Sequence, residues 1–146
     1  MGDGSLMHRH VAYVLAVSLG EERWEVCRRF SDFKRLHTEL CAAFPASMHG
    51  AAAQMPRKEL LPTLRDKALE ASRRMPQLQQ FLQWLLLNDE TRRSEQLMAF
   101  VDVLSRGHAE LWVRSVGSIG GQDAAALAFA SGALSHLHPR GHCQNL

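Results

Sequence analysis

The most constraining feature of this sequence is a strand-like hairpin that runs directly into a helix. Residues 11–19 are rich in strand-forming side chains, and the run from Arg23 to Phe30 alternates in part between apolar and charged residues. Gly20 and the two glutamates after it supply a turn, so the two runs together predict a β-hairpin. A serine and an aspartate follow at once, and both favour the start of a helix.

Four helices are predicted after the hairpin, over residues 32–44, 63–74, 75–87 and 94–105. Ser31 is expected to cap the first of them and Pro45 to end it. The third has the broadest apolar stripe, and Pro76 lies where the first turn of a helix tolerates proline. We therefore expect an α+β fold, with a short antiparallel sheet packed on three to four helices.

The composition fits one domain that does not bind its partner by bulk charge. The 146 residues are 46% hydrophobic and 22% charged, which is ordinary for a globular protein. Seventeen Lys and Arg residues against fifteen Asp and Glu leave a net charge of +2. This small excess argues against a nucleic-acid partner, so any bound anion must be met by a local cluster of basic residues.

The composition changes near Gly107, where charged residues become sparse and Ala and Gly become frequent. We therefore divide the chain into a domain over residues 8–106 and a tail over residues 107–146 that packs loosely or not at all. Within the tail, residues 123–137 predict a helix. Four metal-ligating residue types lie near its end: His136, His138, His142 and Cys143. The sequence offers no second group of ligand residues to pair with them. We therefore expect neither a metal nor another cofactor.

Neither catalytic nor disulfide chemistry is predicted. The sequence has no Gly-rich phosphate loop, no paired carboxylates in an apolar setting and no serine elbow, so no enzyme activity is expected. Its three cysteines are an odd number without metal-type spacing, which makes a reducing compartment the default. Cys27 and Cys41 fit as small core-filling side chains.

The stretch from Trp24 to His37 concentrates the chemistry of an anion site. Arg28 and Arg29 end a strand, Phe30 follows, and a capped helix begins at once. This junction brings together guanidinium groups, an aromatic face and the free N–H groups of a helix start. From this stretch alone, an anion and sugar-ring site is as well supported as a charged strand end beside a core phenylalanine.

Two more basic segments follow in the sequence. The loop MPRKELLP at 55–62 sets a basic pair beside an apolar pair. The arginines at 73–74 directly precede the helix predicted over residues 75–87, which has the broadest apolar stripe. Together with RRFSDF at 28–33, and in this order, they resemble the phox-homology (PX) domain of the sorting nexins over roughly residues 10–105. A PX domain normally has another strand before the first one predicted here. Only residues 1–7 remain for it, so we expect a two-stranded or frayed sheet.

The resemblance implies a reader of phosphatidylinositol 3-phosphate. In PX domains an arginine at the strand end binds the 3-phosphate, a position filled by Arg29. The next aromatic residue, Phe30, is then expected to stack under the inositol ring. The loop lysine that meets the 1-phosphate corresponds to Lys58. The arginine that hydrogen-bonds the 4- and 5-hydroxyls corresponds to Arg74.

The same resemblance implies reversible docking on the cytosolic face of endosomes during sorting. Leu60 and Leu61 are expected to enter the membrane interface, although packing under the loop explains this pair equally well. Arg28 and Arg57 are predicted to be accessory basic residues near the anionic leaflet. The alternative is a degenerate PX-like module without significant lipid binding, which binds a protein partner through an exposed apolar helix over residues 124–137.

Overall fold

The computed structural model describes residues 12–50, 54–56, 67–115 and 125–134, with the backbone alone for 67–70 and 129–134. Its elements are, in chain order, β1 (Ala12–Leu19), β2 (Glu22–Arg29), α1 (Phe30–Ala43), a 3-10 turn (Ser47–His49), α2 (Lys67–Leu87), α3 (Asp89–Arg92), α4 (Glu95–Phe100), α5 (Ala109–Ser115) and β3 (Ala125–Leu134). The strands form one antiparallel sheet in the order β2-β1-β3. This architecture confirms the α+β class.

The central strand β1 carries the inner face of the sheet. Four alternate side chains of this strand are almost completely buried: Tyr13, Leu15, Val17 and Leu19. Successive residues of a strand point to opposite faces, so this period-2 burial places the core on one side of the sheet. Gly20 has a φ of +62° in the tight turn to β2, where Leu19 pairs with Glu22. The predicted hairpin is therefore confirmed.

Aromatic contacts join the sheet to the helices. The ring of Phe33 on α1 meets Tyr13 edge-on at a centroid distance of 5.6 Å and meets Phe100 on α4 at 5.0 Å. The Tyr13 hydroxyl donates a hydrogen bond of 3.1 Å to the carbonyl of Ala71 on α2. Edge-to-face pairs and satisfied buried hydroxyls hold such rings in one arrangement.

The third strand comes from the segment in which a helix was predicted. Residues 125–134 pair antiparallel with β1, from Leu19 opposite Ala125 to Tyr13 opposite Leu134, with an irregularity between Tyr13 and Leu15. The helix predicted over residues 123–137 is therefore wrong. Alanine-rich sequence favours a helix locally, but a central strand leaves a row of unpaired backbone groups that a second partner strand satisfies.

Side chains also attach the C-terminal region to the domain. The Nε2 atoms of Gln79 and Gln83 on α2 donate hydrogen bonds of 3.1 and 2.8 Å to the carbonyl of Leu127, whose own side chain is 1% exposed. On α5, Trp112 is fully buried and its Nε1 donates to the carbonyl of Arg92. The expectation of a loosely packed tail is therefore wrong for residues 109–115 and for β3.

Three helix boundaries differ from the predicted ones. Helix α1 begins at Phe30 with Arg29 as its N-cap, two positions earlier than Ser31 suggested. Helix α2 is continuous through the two segments predicted separately, so Pro76 lies inside it rather than in its first turn. The last predicted helix ends at Phe100, because the chain turns there and Asp102 takes a φ of +64°.

The two cysteines in the described segments have different states. Cys41 on α1 is free and half-buried, packs against the core, and has its Sγ 3.7 Å from Nε2 of His37. Cys27 on β2 is disulfide-bonded. The core-filling role fits Cys41, whereas the expectation that cysteine pairing plays no part in this chain is wrong for Cys27.

If β3 belongs to the domain, truncating its buried leucine will destabilise the whole protein. We expect Leu127→Ala to lower the free energy of unfolding by about 2–5 kcal/mol, as for other buried leucines. The matched control is Ala128→Ser at the next, exposed position of the strand, with an expected change below about 0.5 kcal/mol. Equal urea midpoints for the two variants would contradict the placement of β3 on the sheet.

Candidate functional site

The two adjacent arginines at the end of β2 make different contacts. The guanidinium of Arg28 donates from Nε to the carbonyl of Phe100 (2.9 Å), from Nη1 to the carbonyl of Cys27 (2.7 Å) and from Nη2 to Oδ1 of Asp102 (3.0 Å). Its side chain is 13% exposed. Arg28 therefore fixes the turn that follows α4, and the accessory basic role predicted for it finds no support in this geometry.

Arg29 lies where β2 ends and α1 begins. Its backbone is extended, with φ −90° and ψ 167°, and its N–H donates a 2.8 Å hydrogen bond to Oδ2 of Asp32. Because adjacent strand residues point to opposite faces, the Arg29 side chain leaves the sheet on the other side from Arg28. The carboxylate of Asp32 thus caps the helix through the backbone of the residue predicted to bind phosphate.

The ring of Phe30 lies at the centre of the candidate site. It is half-buried and packs against the core. The Cζ atom of Arg74 on α2 lies 3.8 Å from the ring centroid, a close stack of guanidinium on aromatic ring. Of the four predicted ligand residues, the fold thus stacks Arg74 on Phe30, and Arg29 directly precedes Phe30 in the chain.

The stacked guanidinium constrains how a sugar ring can reach Phe30. Arg74 covers one face of the aromatic ring. A ligand ring must therefore use the other face or displace the guanidinium, which costs about 0.5–2 kcal/mol of cation–π attraction. Arg74 has a planar fork that suits hydroxyl or phosphate oxygens, so displacement is offset when the ligand accepts its hydrogen bonds.

The loop part of the prediction lies outside the described residues. This applies to Arg57, Lys58, Leu60 and Leu61, whose roles stay predictions. The short described piece before them is anchored, since Pro56 is buried and Met55 packs against the core.

Sequence reasoning did not single out Lys34, a basic residue beside the Phe30 ring. Its Nζ atom lies 5.8 Å from the centroid of the Phe30 ring. The spacing contained the signal, because residues four apart on a helix lie on the same face and Phe30 is the first residue of α1.

The described segments contain neither a metal-type cluster nor a membrane-spanning helix. No group of three or more His, Cys, Asp or Glu side chains there is arranged to hold a metal ion. The histidines and cysteine near the C-terminus (His136, His138, His142 and Cys143) lie outside those segments. Within the described helices, none combines the length and apolar character needed to cross a membrane.

The sequence matches the family model described as PX domain over residues 17–104. A solved structure described as "X-ray structure of a designed CISK-PX domain" is similar to this chain, with 27% identity and a TM-score of 0.55. The likeness covers 69% of this chain and 89% of that one. No curated protein matches the sequence. The matched residues include Arg29, Phe30 and Arg74, and they end before α5 and β3.

The contacts of Arg28 predict a structural role that a single substitution can reveal. We expect Arg28→Ala to lower the free energy of unfolding by about 2–4 kcal/mol, because it removes the hydrogen-bond donor of the Asp102 carboxylate and the Phe100 carbonyl. Arg23→Ala, which removes an exposed arginine from the same strand, should change it by less than about 0.5 kcal/mol. Indistinguishable thermal unfolding of the two variants would show that the Arg28 contacts contribute nothing.

Proposed function

The chain belongs to the PX domain family, and from that we propose that it is a peripheral membrane domain that reads phosphatidylinositol 3-phosphate on endosomes. Family membership supports phosphoinositide binding and membrane targeting in general. The particular lipid, the endosomal membrane and a role in sorting are the proposed part. The action is reversible docking, without a catalytic step or a cofactor.

The observation that supports this proposal most directly is the cluster around Phe30. Arg29 precedes the ring in the chain, and Arg74 from a distant helix stacks on it at 3.8 Å. In the proposed complex Arg29 binds the 3-phosphate, Phe30 supports the inositol ring and Arg74 leaves its stack to meet the 4- and 5-hydroxyls. Charge-assisted bonds to a phosphate are the strongest of these contacts.

The loop supplies the membrane part of the proposed mechanism. Lys58 meets the 1-phosphate, which all phosphoinositides share, and Arg57 is attracted to the anionic leaflet. Leu60 and Leu61 enter the interface, where full insertion of a leucine contributes about 1.5–3 kcal/mol. Headgroup contacts then select the lipid, and the leucine pair prolongs residence on the bilayer.

The alternative of a protein-interaction module loses the helix through which it was expected to bind a partner. It relied on an exposed apolar helix over residues 124–137, whereas residues 125–134 form a strand paired with β1. Support for lipid binding comes instead from the family match and from the stack of Arg74 on Phe30.

Substituting Arg29 tests the proposed recognition of the 3-phosphate. We expect Arg29→Ala to reduce sedimentation with vesicles containing phosphatidylinositol 3-phosphate to the level seen without that lipid, because the phosphate loses its charge-assisted partner. The circular dichroism spectrum should stay unchanged.

The matched control is Arg23→Ala, which removes an exposed arginine on the same face of β2, six residues earlier. It should bind like the parent protein. Parent-like binding by a folded Arg29→Ala variant would remove Arg29 from the site.

A second test separates insertion of the leucine pair from headgroup recognition. We expect Leu60→Asp with Leu61→Asp to weaken binding to bilayers more than binding to a soluble, short-chain phosphatidylinositol 3-phosphate. Insertion acts only at a membrane, and the new carboxylates are repelled by the anionic leaflet. Vesicle sedimentation and calorimetry with the soluble lipid measure the two effects.

The serine pair Leu60→Ser with Leu61→Ser controls for added charge, and thermal unfolding controls for packing. A large loss of stability in both double variants would assign the leucines to the core. Equal weakening toward both lipid forms in a stable variant would contradict insertion.

A further inference from the structure

The disulfide bond of Cys27 raises the question of its partner, and the cysteine count narrows the answer. The sequence has three cysteines, Cys27, Cys41 and Cys143. Cys27 on β2 is disulfide-bonded, whereas Cys41 on α1 is free. Within one chain this leaves Cys143, which lies outside the described residues. The positions of Cys27 and of Leu134, the last described residue, decide whether such a bond is within reach.

The end of β3 lies close to Cys27 across the sheet. Tyr13 on β1 pairs with Arg28 on one side and with Leu134 on the other. Leu134 therefore lies in the same row of the sheet as the residue that follows Cys27. Two strand spacings amount to about 10 Å, whereas residues 135–142 can span up to roughly 28 Å. The chain after β3 is thus long enough to return across the sheet to Cys27.

Cys27 lies where a thiol reagent can reach it. Trp24 and Val26 of β2 are buried against the core, and strand side chains alternate between faces. Cys27 therefore belongs to the opposite face, together with the exposed Glu25. The Cys27 side chain is half-buried rather than sealed in the core. Since the rate of thiol–disulfide exchange depends on access, a bond at this position can be made and broken in the folded protein.

The side chains of β3 contribute little to holding this strand on the sheet. Its described side chains are those of residues 125–128, three alanines and Leu127, and Leu127 is the buried one among them. Backbone pairing with β1 and the amide bonds to the Leu127 carbonyl supply the other described contacts. A covalent link just beyond the end of β3 would therefore add much to its attachment.

We propose that Cys27 and Cys143 form a disulfide bond that fastens the chain after β3 to β2, so that the attachment of β3 depends on redox conditions. A link between residues this far apart in the chain strongly restricts the unfolded state, so the bonded protein is more stable than the reduced one. This inference concerns the scaffold and does not rest on the proposed function.

Formation of the bond requires a disulfide as oxidant, and oxidised glutathione is of the right chemical class. The thiolate of one cysteine attacks a glutathione sulfur and releases one glutathione thiolate. The second protein thiolate then attacks the mixed disulfide and releases the other glutathione. Two protein thiols are oxidised, one glutathione disulfide is reduced to two thiols, and the protons of the cysteines end on glutathione. An excess of a reducing dithiol reverses the exchange.

Peptide mass mapping of the full chain, after equilibration with oxidised glutathione, tests the pairing. Digestion without reductant is expected to yield one linked pair of peptides that carry Cys27 and Cys143, with Cys41 still open to alkylation. A link from Cys27 to Cys41, a link between two chains on a non-reducing gel, or the absence of any link would overturn the proposal.

Thermal unfolding with and without a reducing dithiol measures what the bond contributes. We expect reduction to lower the Tm of the parent protein by roughly 5–15 °C. Cys143→Ser should lower it by a similar amount and remove the response to the reductant, whereas Cys41→Ser, the matched control, should keep that response. An unchanged Tm of the parent on reduction, or a full response in Cys143→Ser, would overturn the role of the bond.

Hydrogen exchange shows whether the bond acts on β3 in particular. The amides of residues 125–134 are expected to exchange at least roughly tenfold faster after reduction, and those of α1 by a smaller factor, because the loss of the link opens the strand locally. Equal acceleration in β3 and α1 would overturn the attachment of β3 as the feature under redox control.

Discussion

The hydrogen bond from the Tyr13 hydroxyl to the Ala71 carbonyl ties the sheet to α2, and the candidate site depends on this connection. Arg74 lies three residues after Ala71 on the same helix, so its stack on Phe30 requires α2 to be fixed relative to the end of β2. Tyr13 also packs edge-on against Phe33 of α1, the helix that carries Phe30. One central, buried side chain thus positions both helices that supply the site.

Strand alternation explains why two neighbouring arginines have separate tasks. Arg28 points toward the chain after α4 and uses its guanidinium on Asp102 and two carbonyls. Arg29 points the other way, and its backbone is held by the carboxylate of Asp32. The structural contacts of Arg28 and the recognition role proposed for Arg29 are therefore separated by one residue along the strand, so a shift of register by one position would exchange the two side chains.

Local patterns predicted the hairpin and most helices and singled out the candidate site residues, whereas contacts between distant residues did not follow from them. The predictions of the hairpin, of the junction into α1 and of Arg29, Phe30 and Arg74 as candidate ligands rest on short spacings and on a family resemblance carried by short motifs. The pairing of Arg28 with Asp102 spans 74 residues and has no local signal. Strand β3 was missed for a related reason, because helix propensity is local and strand pairing depends on where the chain returns.

The strand β3 shows how a segment outside the family match contributes to the site. The match ends at residue 104, yet the third strand of the described sheet runs from Ala125 to Leu134. Antiparallel pairing requires backbone complementarity more than particular side chains, so a segment rich in alanine is adequate for this position. Gln79 and Gln83 connect its Leu127 carbonyl to α2, the helix that presents Arg74. The pairing of β3 with β1 therefore braces the helix that carries Arg74, through backbone and amide groups that have no assigned part in binding the proposed ligand.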